Sequence, residues 1–357
     1  MGKRQAMVVI LLHSLLSVGY VCGLVEPAVE PFLKSKKDEI FPSDDRSVDV
    51  FRSKVGKTAE SYLSSILKMI SYSESRGGVR LTPSVLPKIG IKIETSCAPG
   101  LQVTPMLVDG LLRLLKERGY RNEQVFIADH DLMTLRSAGF AMGSSTPRLY
   151  RGYPLYCSAD KSFFNAEWYH DSPMPPTPQD RVRFFLRYPG DREKRVGEER
   201  KSYLPARLFL KDVHWINLAV AMDSLNLGID GAAANFSLGA IDNAQRFLEK
   251  PTLAPAAVAE ILAIPEIWQK RVFSIVDLSK FQFAGGGRFD AEFLGREPTL
   301  LLGENPFSVD YLALQSLNKL RLKRGFSERT PEDVLMFRYA KELGLGDVKT
   351  AKFFDLP

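Results

Sequence analysis

The chain has 357 residues, 45% of them hydrophobic and 25% charged, and 48 Lys and Arg against 42 Asp and Glu give a net charge of +6. That balance excludes a disordered or low-complexity chain and suits one large domain or two ordinary ones. The cations form no dense stripe, which argues against nucleic-acid binding. The sequence contains no C-x2-C pair, so neither a cysteine-ligated iron–sulfur cluster nor a zinc finger is expected.

Lys3 and Arg4 precede an apolar run, AMVVILLHSLLSVGYVCG, that is broken only by His13 and small polar residues. Val21 and Gly23 fit cleavage after Gly23, so residues 1–23 read as a secretory signal peptide and the chain as an exported, periplasmic protein. The alternative is an uncleaved membrane anchor, because a run of about 18 residues just reaches spanning length. Residues 24–43 read as an extended, Pro- and charge-bearing leader, and residues 44–357 as one α/β domain.

Phe51, Val55, Ala59, Tyr62, Leu63, Ile66 and Ile70 recur at helical spacing and predict a helix over 45–72. KIGIKIET (88–95) predicts a strand and SCAPGLQV a loop. Thr104 and Pro105 then open a helix that Gly119 closes, and EQVFIADHD is the next strand. Strand, capped helix and strand make a βαβ unit, whose site residues lie beyond the carboxyl ends of the strands. Residues 140–202 read as an irregular, inserted stretch, with a rigid Pro-rich loop at 172–180, a strand in RVRFFLRYP and a solvated hairpin or insertion at 190–201. DVHWINLAVAMD, RVFSIVDL and PTLLLGEN are strands. Helices are expected near 241–249, over 255–264, after Asn305-Pro306, and after a capping box at Thr330 and Asp333. The fold class is therefore α/β, a mostly parallel sheet flanked by helices and built of Rossmann-like βα units.

Several residues carry chemistry on this reading. Cys97 could be a nucleophile with His130 as its base, or a small buried thiol. Cys97 and Cys157 could equally form a disulfide or remain two thiols. Asp129, His130 and Asp131 could hold a divalent metal, or cap the following helix. Gly286 and Gly287 of AGGGR could cradle an anion or form a turn. Asp277 ends an apolar strand, and Asp310 lies in the first turn of a helix, where it complements the dipole.

The order of these motifs resembles the bacterial domain-of-unknown-function family 362, in its exported branch without a ferredoxin insert. The likeness runs from about Lys88 to the C-terminus and takes in IGIKIETSCAPGLQVTPMLVDGLLRLL, VAMDSLNLGIDGAAANFSLGAIDNAQRFL, ENPFSVD and YAKELGLGD. It implies an α/β domain and brings no established reaction. It marks Asp223, Asn235, Asn243, Arg246, Asp277, Gly286, Gly287 and Asp310 as ligand-binding candidates. Where the family carries lysines and histidines, this chain has Met222, Ser224, Ala234 and Leu248. Lost Lys and His groups imply a less basic pocket and a divergent, non-catalytic or small-molecule-binding member. Two alternatives remain open. One is a metal-dependent enzyme built on Asp223, Asp277 and Asp310; the other is a cell-envelope interaction protein that uses the loops at 172–180 and 190–201.

Overall fold

A computed structural model describes residues 48–143, 147–172, 178–248, 250 and 252–357. The expected signal peptide and leader lie outside the described residues.

The first half comprises β1 (Val50–Lys54), α1 (Ala59–Ser75), β2 (Lys88–Lys92), α2 (Pro105–Glu117), β3 (Val125–Ala128) and α3 (Leu132–Ser137). Then come β4 (Leu149–Tyr150), β5 (Tyr153–Tyr156), β6 (Phe164–Asp171), α4 (Pro178–Arg187), α5 (Arg192–Glu199) and β7 (Lys201–Pro205). The second half contains β8 (Val213–Ser224), β9 (Gly228–Asp230), α6 (Ala232–Phe236), α7 (Gln245–Leu248), α8 (Leu253–Leu262) and α9 (Pro265–Trp268). It closes with β10 (Arg271–Gln282), β11 (Leu294–Gly295), β12 (Thr299–Gly303), α10 (Pro306–Lys323), α11 (Leu335–Glu342) and β13 (Phe353–Leu356).

The main sheet runs β13-β1-β12-β10-β8-β2-β3-β5-β4. The pairs β10/β8, β8/β2, β2/β3 and β3/β5 at its heart are parallel, and antiparallel β12 joins β10 to β1. Both faces are covered, as parallel sheets require. On one face α1 and α2 pack with Ile89, Ile91, Ile216 and Ile275; on the other Phe236, Val258, Phe307 and Phe337 pack with Trp215, Ala219 and Val276. Thr104 Oγ1 accepts from Leu107 N at 3.3 Å and caps α2, as its sequence predicts. Gly110 lets α2 approach α1: a Cβ there would lie 2.9 Å from Leu63 N.

Four expectations are corrected. The helix expected over 45–72 begins only at Ala59, behind Thr58, whose hydroxyl accepts from Ser61 N at 3.2 Å. Residues 50–54 are instead a strand held between β12 and β13. Phe51 and Val55 are four apart and imitate a helical face, yet Val50 and Phe51 are buried in opposite layers, the alternation of a strand. The stretch RVRFFLR (181–187) lies in helix α4 instead of a strand, with Phe184 buried while Val182, Phe185 and Leu186 are exposed. The hairpin expected at 190–201 is helix α5, capped by Asp191, which accepts from Lys194 N at 2.9 Å. Thr330 and Asp333 do exchange reciprocal bonds, but they close a turn at 330–333 and do not cap the last helix, because α11 begins only at Leu335 behind Val334, which offers no side-chain cap.

Candidate functional site

Strand β2 sets up the site through its alternation. Ile89, Ile91 and Ile93 enter the core under α1 and α2, which sends residues 90, 92 and 94 to the other face. Gly90 keeps that face open for the Trp215 ring, which would stand 2.8 Å from a Cβ. Lys92 and Glu94 follow at the carboxyl end of the strand, 5% and 7% exposed. They line a cavity of about 400 Å³ beyond the carboxyl ends of β2 and β3, where parallel α/β sheets carry their ligands.

Lys92 spends each of its three N–H bonds on a defined acceptor. Its Nζ donates to Asp129 Oδ1 at 2.7 Å, to Asn235 Oδ1 at 2.7 Å and to Ile93 O at 2.9 Å. Asp129 is satisfied in turn: Oδ1 also accepts from His130 N at 2.7 Å, and Oδ2 accepts from Thr95 Oγ1 at 2.5 Å. Asn235 donates to Asn217 Oδ1 at 2.7 Å and to Leu218 O at 3.0 Å. The network welds β2, β3, β8 and α6 together under the cavity. A buried ion pair of this kind holds its place because its hydrogen bonds are complete.

The segment Gly228–Asn243 forms the facing wall. Strand β9 turns back on β8, pairing Met222 with Asp230, and Gly228 makes the turn at φ +80°. Gly231 then opens α6. Asp310 reaches in from α10 and accepts from Ala232 N at 2.6 Å and Ala233 N at 2.9 Å; a Cβ on Gly231 would sit 2.3 Å from its Oδ1. Ala234, Leu238, Ile241 and Leu248 give the cavity an apolar side, and Asp230, Asp242 and Asn243 a polar one.

Acidity dominates the polar side. Burial raises the Glu94 carboxyl well above its usual range, and nearby Asp230 adds to the rise. Burial likewise pushes Asp230 up to about 6, with Lys92 opposing. Burial and their mutual repulsion therefore make both carboxyls harder to ionise than ordinary acids. Glu94 accepts from Val220 N at 3.2 Å and Ser96 Oγ at 3.3 Å. His130 is held neutral, its basicity lowered by burial and then by Lys92.

Of the residues that the sequence singles out, Asn235, Asn243, Asp129, His130 and Asp131 line this cavity. The rest are engaged elsewhere. Asp223 is paired with Arg321 at 2.9 Å and Arg329 at 2.7 Å, and Gly286 N donates to its other oxygen at 3.2 Å. The glycine loop therefore closes on Asp223; a Cβ on Gly286 would meet the Asp223 carbonyl at 2.9 Å, while Gly287 sits at φ +92° as a turn residue. Asp277 points into the opposite layer, accepting from Tyr62 Oη at 3.0 Å, Thr104 Oγ1 at 3.3 Å and Ser279 N at 2.9 Å. Asp223, Asp277 and Asp310 thus serve different neighbours instead of sharing one metal centre. Arg246 reaches backbone carbonyls of Lys201 and Ser172, both at 3.4 Å, and ties the antiparallel β6–β7 pair to α7.

The reading of Asp129, His130 and Asp131 as metal ligands is likewise corrected. Asp129 is consumed by Lys92, Thr95 and His130 N, and Asp131 caps α3 by accepting from Thr134 N at 2.8 Å. Among the described residues no cluster of three His, Cys, Asp or Glu is arranged to hold a metal. Cys97 and Cys157 are both free thiols. The Cys97 thiol is pushed up to about 11, chiefly by burial, and its Sγ lies 4.0 Å from Met222 Sδ, so it is no activated nucleophile. Of the four positions where cations were expected to be missing, only Ala234 and Leu248 line the cavity. A cation does stand there, Lys92, brought in by a different strand.

Lys92, Glu94 and Asp230 were not singled out from the sequence. For Lys92 and Glu94 the signal is present in KIGIKIET: Lys88 at the start of the strand reaches solvent, but charges alternating with isoleucines at the carboxyl end of a doubly covered sheet are buried and belong to a site.

No family model matches the chain, and no curated protein matches it. Among solved structures it is similar to a crystal structure of a Thermotoga maritima protein from the Northeast Structural Genomics Consortium, with 14% identity and a TM-score of 0.37 over 74% of this chain. The match spans 59% of the length of that Thermotoga chain.

Proposed function

We propose that this chain is an exported, divergent relative of the domain-of-unknown-function family 362 that binds a small molecule without transforming it. The observation that carries the reading is the cavity of about 400 Å³ with one apolar and one acidic side, floored by the completed Lys92–Asp129–Asn235 network. A volume in this range suits a small ligand. The Cys97 thiol is held protonated by its burial, which argues against covalent chemistry at that position. Export rests on Lys3, Arg4 and the apolar run to Gly23.

The test is a thermal-shift screen of cationic, neutral and anionic small molecules on the wild type and on Leu248→Trp, which fills the cavity from its half-buried rim. At least one compound should raise the wild-type midpoint and leave the variant unmoved. A screen without such a compound would reject the pocket as a binding site. Mass spectrometry of protein from its native host should find Leu24 as the mature N-terminus; an intact Met1 would reject cleavage.

A further inference from the structure

We infer that the cavity selects an aliphatic ammonium, a single positive nitrogen on a hydrocarbon body, and holds that nitrogen between Glu94, Asp230 and the side-chain oxygen of Asn243. The inference rests on the proposed pocket and names what would fill it.

Charge comes first. Among the described lining residues Glu94, Asp129, Asp131, Asp230 and Asp242 face one permanent cation, Lys92. Three of the five acids are already occupied. Asp129 holds Lys92, Asp131 caps α3, and Asp242 accepts from Tyr203 N at 2.8 Å. Glu94 and Asp230 remain without a cation of their own. Lys92 stands near them, but its three donors are spent on Asp129, Asn235 and Ile93. The site therefore lacks one positive charge, and a ligand cation would supply it.

A second observation points the same way without reference to charge. Asn243 is 8% exposed, and its Nδ2 donates to Lys201 O at 2.9 Å, which fixes which amide atom is the oxygen. That oxygen is buried and has no donor, and Asn243 lines the cavity. A buried acceptor without a partner costs about 1–3 kcal/mol, so the missing group is an N–H or O–H donor. Carboxylates accept only, so an ammonium with several N–H groups is the head group whose chemistry suits all three side chains. Ala234, Leu238, Ile241 and Leu248 would take up the hydrocarbon part. A carboxylate or phosphate ligand would face the acid pair and leave Asn243 Oδ1 unpaired.

Calorimetric titration of the full chain at pH 8 with hexylamine, 1-hexanol and hexanoate tests this, because the three share one hydrocarbon body and differ in their head group. Hexylamine should bind at least tenfold more tightly than either of the others. Asp230→Asn and Glu94→Gln should each lower its affinity at least tenfold, and Leu248→Trp should abolish it. Hexylamine affinity should also fall from pH 8 to pH 5.5 as the acid pair takes up its proton; Lys92, Asp129, Cys97 and Asp310 act on the pair, and His130, Asp131 and Asp242 line the same cavity. Among the described residues the Asp230 carboxylate accepts no hydrogen bond, so Asp230→Asn serves as the folded variant should Glu94→Gln fail to fold. Equal or tighter binding of hexanol or hexanoate, lost in Leu248→Trp, would overturn the ammonium and leave the pocket standing. Hexylamine binding that survives Asp230→Asn would overturn the assignment of the acid pair. Absence of binding by all three would overturn this inference, and the thermal-shift screen then decides the pocket separately.

Discussion

Lys92→Met is the most informative single perturbation. It deletes a cation that is 5% exposed and strands Asp129, also 5% exposed, with Thr95 Oγ1 and His130 N as its remaining donors. Breaking a buried pair by removing one partner costs about 3–5 kcal/mol, because the other charge stays buried and uncompensated. Asn235 Oδ1 loses its donor in the same step, so the upper half of that range is expected. With an unfolding slope of about 3 kcal/mol per molar urea, a loss of about 4 kcal/mol moves the midpoint down by about 1.3 M. Trp215 and Trp268, 2% and 5% exposed, report the transition by fluorescence. Asp129→Asn alone should cost a similar amount, since it isolates Lys92. The double variant Lys92→Met/Asp129→Asn buries no charge at this place and should recover most of the loss, with a coupling energy of at least about 2 kcal/mol. A single-variant shift below about 0.3 M, or strictly additive variants, would refute the claim that this pair is buried and mutually dependent.

Burial holds the Asp310 carboxyl up at about 7 in the folded chain, against an ordinary 3.8. Its stabilising proton uptake is complete below about pH 3.8 and is lost as pH rises through 7, so the urea midpoint should fall between pH 5 and 8. Asp310→Asn should flatten that slope by on the order of 2 kcal/mol; an unchanged slope would show that Asp310 ionises normally. Gly231→Ala drives a methyl to 2.3 Å from Asp310 Oδ1 and should cost about 1–3 kcal/mol in chemical unfolding, whereas a neutral result would mean that Asp310 caps α6 in another way. Cys97, with its thiol at about 11, should react with iodoacetamide at pH 8 about two orders of magnitude more slowly than a free cysteine, and equally fast once urea unfolds the chain. Rapid labelling of the native chain at Cys97 would restore the case for a nucleophile.

Much of the architecture was legible because it is written in local chemistry. Thr104-Pro105 opens α2, and the long apolar runs at 213–224 and 271–278 are the central strands that they look like. What misled was periodicity shared by two structures. Phe51 and Val55 fit one face of a helix, yet pairing with β12 and β13 fixes residues 50–54 as a strand. The site was half legible. The resemblance points to Asn235 and Asn243, and the DHD triplet stands out because it lies beyond a strand end, where ligands gather. Asp277 stands out by that same strand-end rule and Asp223 by the resemblance, but Arg321, Arg329, Tyr62 and Thr104 reach them from distant parts of the chain. No spacing in the sequence announces such partners. Lys92 and Glu94 needed one further step, the recognition that the second face of β2 is covered.

The place of β8 in the sheet has a consequence for how the chain is made. β8 lies between β2 and β10, yet it begins at Val213, well over a hundred residues after β2 ends at Lys92. A ribosome adding about 5–20 residues per second therefore leaves the inner edge of β2 without its neighbour for roughly 6–24 s. During that interval an isoleucine-rich strand shows bare backbone donors and acceptors, a template for the wrong partner. Nascent chains of this protein should thus depend on holdase protection through the middle of synthesis more than at either end.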